Sequence, residues 1–413
     1  MNTTTAHTPR IVPDYEAMLD PAPGYRELAA EGAVQLVRRV NGGLAHYAVL
    51  DYKLAQEALR SPVFSKTSQA MHFALRLQDA DPANYPISGG AGAPNLLNTD
   101  GADHMRLRNL VNMTFSPRRV QQLRGRVEAL VDRLIADLQE QTDWDLVGQF
   151  AYPVGLTMIC DILGVPQGDR DNFRHWATQS MRITAPDQKE NAGRLKGYLV
   201  DLVQAKRAQV DMALPMDEQP DVLSALCVAR DGGESLDADE LISMSFLMLI
   251  AGHETTVGLI GSALILLDRF RDQRAMLLAD PELMRGAIEE VLRYDGPVHQ
   301  TTMRATNADV ELGGVRIPRG SFVHVYTMAC NRDPERWPDP DRFDITRKPI
   351  GSLAFGYGPH MCLGLHLARL EAEVALTKFL HAFPDYRLAG TGRDIEWAGT
   401  VIRAAAVIRA VPQ

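Results

Sequence analysis

Val120, Leu123, Val127, Leu130 and Leu134 recur three and four residues apart, the spacing that gathers side chains on one face of a helix. Ser116 and Pro117 ahead of them supply an N-cap and a first helical residue. The same rhythm predicts helices over 144–164, 168–183, 188–211, 220–230 and 277–294. Two regions alternate instead. Residues 34–51 hold two β-like stretches around Asn41, Gly42 and Gly43, a hairpin turn, and YKLAQEALR after them predicts a short helix. Late in the chain, ADVELGGVRIPRGSFVHVY restores the strand-and-turn pattern. Residues 79–97, rich in Pro and Gly, predict a long loop, a mobile wall or entrance. The pattern is that of a mainly α (α+β) protein with small sheets. No linker divides residues 1–413, so one large domain is expected, with residues 1–12 as a loose tail.

One apolar run, LISMSFLMLIAGHETTVGLIGSALILL at 241–267, has the length of a membrane span. His253, Glu254, Thr255 and Thr256 lie at its centre, where a carboxylate in lipid would be costly. A helix through the core of a soluble protein is the expected form. The H-E-x-x-H zinc motif fails here, because Val257 stands where a second histidine is needed. Gly252 weakens the helix locally, leaving a gap in which the neighbouring acid and alcohol can hold water.

Composition is ordinary for a globular chain, 46% hydrophobic and 23% charged. A net charge of −9 argues against a nucleic-acid or acidic-membrane binder. The N-terminus has no secretory pattern, and the cysteines at 160, 227, 330 and 362 form no close pair, so a reduced, cytoplasmic setting is expected.

Of these cysteines, Cys362 stands apart. Phe355, Gly356, Gly358 and Pro359 precede it in a small-residue turn, and Gly364 follows, so a flat, bulky group can approach the backbone. Leu363, Leu367, Leu370 and Val374 then form a buried stripe, which places Cys362 at a helix N-terminus, where amides and the helix dipole favour a thiolate. Such a thiolate suits the axial position of a haem iron.

FGYGPHMCLG resembles the haem-binding signature F-x-x-G-x-x-x-C-x-G of the cytochrome P450 family, with Phe355, Gly358, Cys362 and Gly364 in register. AGHETT resembles the family's distal-helix motif, and the match puts Glu254 and Thr255 in the acid and alcohol positions beside an oxygen site, with Ala251 and Gly252 in a widened groove. EVLR matches the family's E-x-x-R; with Arg342 it implies a structural Glu290, Arg293, Arg342 cluster. In DGADHMRLRNLV, His104 and Arg108 resemble residues that hold a haem propionate, as do Arg304 in TTMRAT and His360. Gly101 and Ala102 stand where the family often has prolines, and TVIRAAAVIRAVPQ departs from its usual ending.

The resemblance, closest to soluble bacterial enzymes that tailor secondary metabolites, implies insertion of one oxygen atom from O2 into a hydrophobic small molecule by hydroxylation or epoxidation. Its cofactor is haem b, with iron bound by the Cys362 thiolate, and Glu254 and Thr255 organise the proton path. The expected pocket is lined by Met244, Leu247, Met248, Ala251, Val298, His299 and Val401, with Met71, His72 and Phe73 capping it. The domain takes up the whole chain, so electrons are expected from NAD(P)H through a separate ferredoxin reductase and ferredoxin. Arginines 106, 108, 118, 119, 124 and 126, opposed over 101–126 by Asp103, suggest its docking face. A monomer is expected. A peroxide-driven or oxidative-coupling enzyme on the same scaffold, or a haem sensor without turnover, is the alternative.

Overall fold

The computed structural model describes residues 8–15, 18, 20–40, 42–81, 93–181, 187–348, 351–390, 395–397 and 402–412. Asn41, residues 82–92 of the expected entrance loop, residues 182–183 and Val401 lie outside the described residues.

Helical periodicity is realised over most of the chain. The Ser116 hydroxyl accepts the Arg119 amide and starts the helix Pro117–Gln122, and after a kink at Leu123 the helix Arg124–Gln139 buries Val127, Leu130 and Val131. Helices follow at Tyr152–Leu163, Arg170–Met181, Gln188–Gln209 and Val222–Val228. Two expected helices differ. Trp144–Asp145 is a strand rather than helix, paired with Arg409–Val411. The helix expected over 277–294 is interrupted at Asp280 and Pro281, which separate Arg271–Ala279 from Met284–Asp295, because proline has no amide to continue the ladder.

The long apolar run is a helix pair, Ala238–Gly252 and Glu254–Arg269, broken at His253 and threaded through the main core. Asp237 and Glu240 close its start with a reciprocal capping box. The helix Leu365–Ala382 packs along its second half.

A six-stranded sheet flanks the helices, in the order Arg10–Val12, Val34–Arg39, His46–Val49, Phe322–Val325, Arg304–Thr306, Phe64–Ser65. The hairpin forms as expected, with Val34 opposite Val49. The expected tail is shorter than a dozen residues, because Arg10–Val12 pairs in parallel with Val37–Arg39 and Val12 is buried. The far edge matters most: Phe64–Ser65 pairs antiparallel with Ala305–Thr306, so Lys66 and Arg304 emerge side by side.

Candidate active site

Cys362 sits in a loop fastened at several points. Its amide donates to the Phe355 carbonyl at 2.8 Å, and the Gly356 amide donates to Leu353 at 2.9 Å. Gly358 has φ +75°, and a Cβ there would lie 2.8 Å from the Leu59 carbonyl oxygen, so only glycine fits. A Cβ on Gly364 would meet nothing within 4 Å, which leaves that side of the turn open. The Arg369 guanidinium covers the Phe355 ring at 4.7 Å and also pairs with Glu289.

Burial pushes the thiols of Cys160 and Cys227 up to about 12 and about 11. It raises Cys362 as well. At Cys362, however, the Gly364 amide, Arg108 and Arg369 all favour the charged sulfur. Arg108 Nη1 donates to the Met361 carbonyl at 2.7 Å, which holds that cation beside the loop.

Behind the loop lies a closed ionic cluster. Arg293 Nε and Nη2 donate to the two carboxylate oxygens of Glu290 at 2.7 and 2.8 Å, with both side chains fully buried. The remaining Arg293 donors reach the carbonyls of Asn331, Pro340 and Arg342. Arg342 is not the second guanidinium: its side chain is 66% exposed and faces Asp344. Arg347 takes that place, with Nε 3.3 Å from Glu290 Oε1. Asn331 Oδ1 in turn accepts the Leu353 amide at 2.7 Å, so the cluster supports the cysteine loop directly.

On the central helix pair, Leu247 and Glu254 are partly accessible and Ala251 is exposed, at helical spacing, with Ile250, Gly252 and Thr255 also partly accessible beside them. Thr255 Oγ1 donates to the Ala251 carbonyl at 2.8 Å. Burial raises the Glu254 carboxyl to about 7, a value suited to proton exchange near neutral pH. Behind this face Glu371 is buried with the Thr256 hydroxyl 3.0 Å away, and desolvation lifts its carboxyl to about 8. Sequence reading missed Glu371; the available signal was an acid inside the apolar stripe of Leu367, Leu370 and Val374.

The third group gathers at the sheet edge. Buried His104 lies 4.2 Å, ring to ring, from His360, and its Nε2 has no partner. Burial, with His360 and Arg108 nearby, lowers His104 to about 4. Arg304 donates to the Phe64 carbonyl at 3.2 Å, while its buried Nε has no partner. His360 differs from expectation in using both ring nitrogens within the protein, towards the Leu96 carbonyl at 3.1 Å and Asp100 at 3.2 Å. Asp100 and Lys66, neither of them singled out in the sequence, complete this group.

The expected pocket is only partly assembled. Met244 and Met248 are buried in the main core. Met71 packs with Ala305 and Phe322 on the sheet, and Phe73 lies under Arg319, because their helix Ser68–Leu77 docks on the strand Arg304–Thr306. His299 is buried in a polar set with Asp295 at 3.1 Å and Tyr25 at 3.3 Å. Val298 is partly accessible. The basic face also shrinks: Arg106 pairs with Glu240, Arg124 with Glu373, and Arg119 binds the carbonyls of Met216, Gln219 and Asp221. Arg118 and Arg126 remain exposed.

A cytochrome P450 family model matches residues 268–384. The chain is 42% identical to cytochrome P450 107B1 of Saccharopolyspora erythraea over 90% of each chain. It is 39% identical to vitamin D(3) 25-hydroxylase of Pseudonocardia autotrophica, covering 90% of this chain and 88% of that one. Among solved structures, the tirandamycin C-bound P450 monooxygenase TamI superposes with a TM-score of 0.85 at 35% identity, over 98% of this chain and all of that one. At this identity and coverage, the chain belongs to the bacterial cytochrome P450 family and is a P450 monooxygenase.

Proposed function

We propose that Cys362 is the axial ligand of a haem b and that Glu254 and Thr255 deliver protons for O2-dependent oxidation of a hydrophobic secondary metabolite. The family implies a haem-thiolate group, and the residues present fit one. Buried, unpartnered nitrogens on Arg304 and His104 are suitable donors for its carboxylates. The open side of Gly364 and the exposed Ala251 leave room for a flat ring system.

Bound there, haem supplies the redox chemistry for inserting one oxygen atom from O2. The chain does the rest. Arg108, Arg369 and the Gly364 amide stabilise charge on Cys362 Sγ. Glu254, with its carboxyl near 7, takes up and releases a proton one residue ahead of Thr255 in the chain. Leu247 and Ala251 offer an apolar surface that excludes water. An acid–alcohol pair poised to move protons favours O2 chemistry over a peroxide-driven reaction, which brings its own protons. The named activity of the vitamin D(3) 25-hydroxylase and the tirandamycin C bound to TamI support a small-molecule substrate and hydroxylation. Electrons come from a ferredoxin served by an NAD(P)H-dependent reductase, docking near Arg118 and Arg126. The protein acts as a cytoplasmic monomer, a single haem domain over 1–413.

The observation that carries this reading is the Cys362 thiol set beside Arg108 and Arg369 in a loop shaped by Gly358. Cys362→Ala should abolish the thiolate-type absorption of the reduced carbon monoxide complex; survival of that absorption refutes the ligand. Thr255→Ala should divert reducing equivalents from product to peroxide, and unchanged coupling would remove Thr255 from the proton path.

A further inference from the structure

The edge of the six-stranded sheet gathers more positive charge than it neutralises. Lys66 and Arg304 are 4% and 5% exposed. Lys66 Nζ donates to the Thr302 hydroxyl and Arg304 Nη1 to the Phe64 carbonyl, both neutral acceptors. Asp100 is the nearby carboxylate, yet its oxygens are taken by Ser65 Oγ at 2.7 Å, the Lys66 amide at 2.8 Å and His360 Nε2 at 3.2 Å. Although Asp100 occupies the N-cap position of the helix Gly101–Asn112, its side chain makes no capping bond. It is turned inward to the sheet edge instead.

With both protonated, the buried Lys66 and Arg304 side chains face one partly buried carboxylate, which leaves one positive charge without a counter-charge. Isolated buried charge is costly, and buried donors are normally paired. Arg304 Nε and His104 Nε2 are both buried and unpaired beside this cluster. Burial and the neighbouring Arg304 drive the Lys66 ammonium well down in pKa, with Asp100 opposing them. A second anion with two acceptor oxygens is the complement in charge and in hydrogen bonding.

We propose that Lys66 is a further ligand for one haem carboxylate, forming with Arg304 and His104 a site for a single negative charge while Asp100 balances the other cation. This rests on the haem reading above. It adds a residue for which VFSKTS offers no sequence signal.

The test compares Lys66→Met, which keeps an apolar stem of similar length, with the wild type, each loaded with haem or with haem dimethyl ester, whose carboxylates carry no charge. Transfer to excess apomyoglobin reports haem loss. With haem, Lys66→Met should lose the group about tenfold faster or more, the range of a charge-assisted hydrogen bond. With the ester, the two proteins should lose it at equal rates, and the ester-loaded variant should melt no lower than the ester-loaded wild type. A lysine that merely packs predicts the reverse: a lower melt, and equal acceleration for haem and ester. That result, or an unchanged rate of haem loss, overturns the proposal. A wild-type protein that takes up haem without a thiolate-type spectrum overturns the underlying haem reading instead, whichever way Lys66→Met behaves.

Discussion

Arg293 and Arg304 are both buried guanidiniums, one behind the cysteine loop and one at the sheet edge, and their surroundings differ in kind. Arg293 spends its donors on two carboxylate oxygens and three carbonyls, and Arg347 and the Asp344 amide help to satisfy the same Glu290. Arg304 has one carbonyl and a bare Nε, and its charge lowers the pKa of neighbouring Lys66. Burial lowers Arg304 to about 10, a sign of a cation held with too little compensation. A closed set of partners fastens segments of chain together. An open set, equally buried, leaves a donor without an acceptor.

The largest effect comes from breaking the closed cluster. Glu290→Ala leaves Arg293 charged in a dry interior, and the free energy of denaturant unfolding should fall by about 3–5 kcal/mol. A loss under about 1 kcal/mol, the ordinary cost of a point substitution, would mean that the carbonyls alone satisfy Arg293 and that the cluster is not closed in the sense argued.

Glu371 sharpens the contrast from the acidic side, as a buried carboxyl with a hydroxyl partner and, among the described residues, no paired cation. Its carboxyl is raised from an ordinary 4.5 to about 8. Between those values the folded protein keeps a proton that the unfolded chain releases, so stability falls as pH rises through the window and levels off above it. Glu371→Gln removes this slope. The variant should melt higher than the wild type at pH 8, with the gap closing towards pH 5; a gap that does not change with pH would mean that Glu371 is ionised in the fold.

The smallest effect separates two arginines. Arg347→Ala should cost about 1–2 kcal/mol through its bond to buried Glu290. Arg342→Ala should stay within about 0.5 kcal/mol, as befits an exposed surface position. A larger loss at 342 than at 347 would reverse the assignment.

The helices were legible because periodicity is a local property: Val120, Val127, Leu130, Leu367, Leu370 and Val374 are buried as spaced, with Leu123, Leu134 and Leu363 half-buried beside them. The cysteine loop was legible because its glycines and Phe355 act within ten residues of Cys362. The pocket was less so. Met71 and Phe73 are apolar whichever way their helix docks, and docking on the sheet took them away from the central helix. His299 looked like pocket lining until Asp295 and Tyr25 closed around it. The basic run at 106–126 was counted as surface, yet acids and carbonyls distant in sequence neutralise or bind Arg106, Arg108, Arg119 and Arg124.

By itself the sequence determined the helical scaffold, the family and the thiol at its centre, since each rests on residue types at short, fixed spacings. Only the tertiary structure decided which charges are satisfied. Arg347 replaced Arg342 because the chain turns between them. Lys66 met Arg304 because two strands some 240 residues apart in sequence pair at a sheet edge. Compensation of charge depends on distance through space and on the exclusion of water, and neither is a property of any stretch of chain read alone.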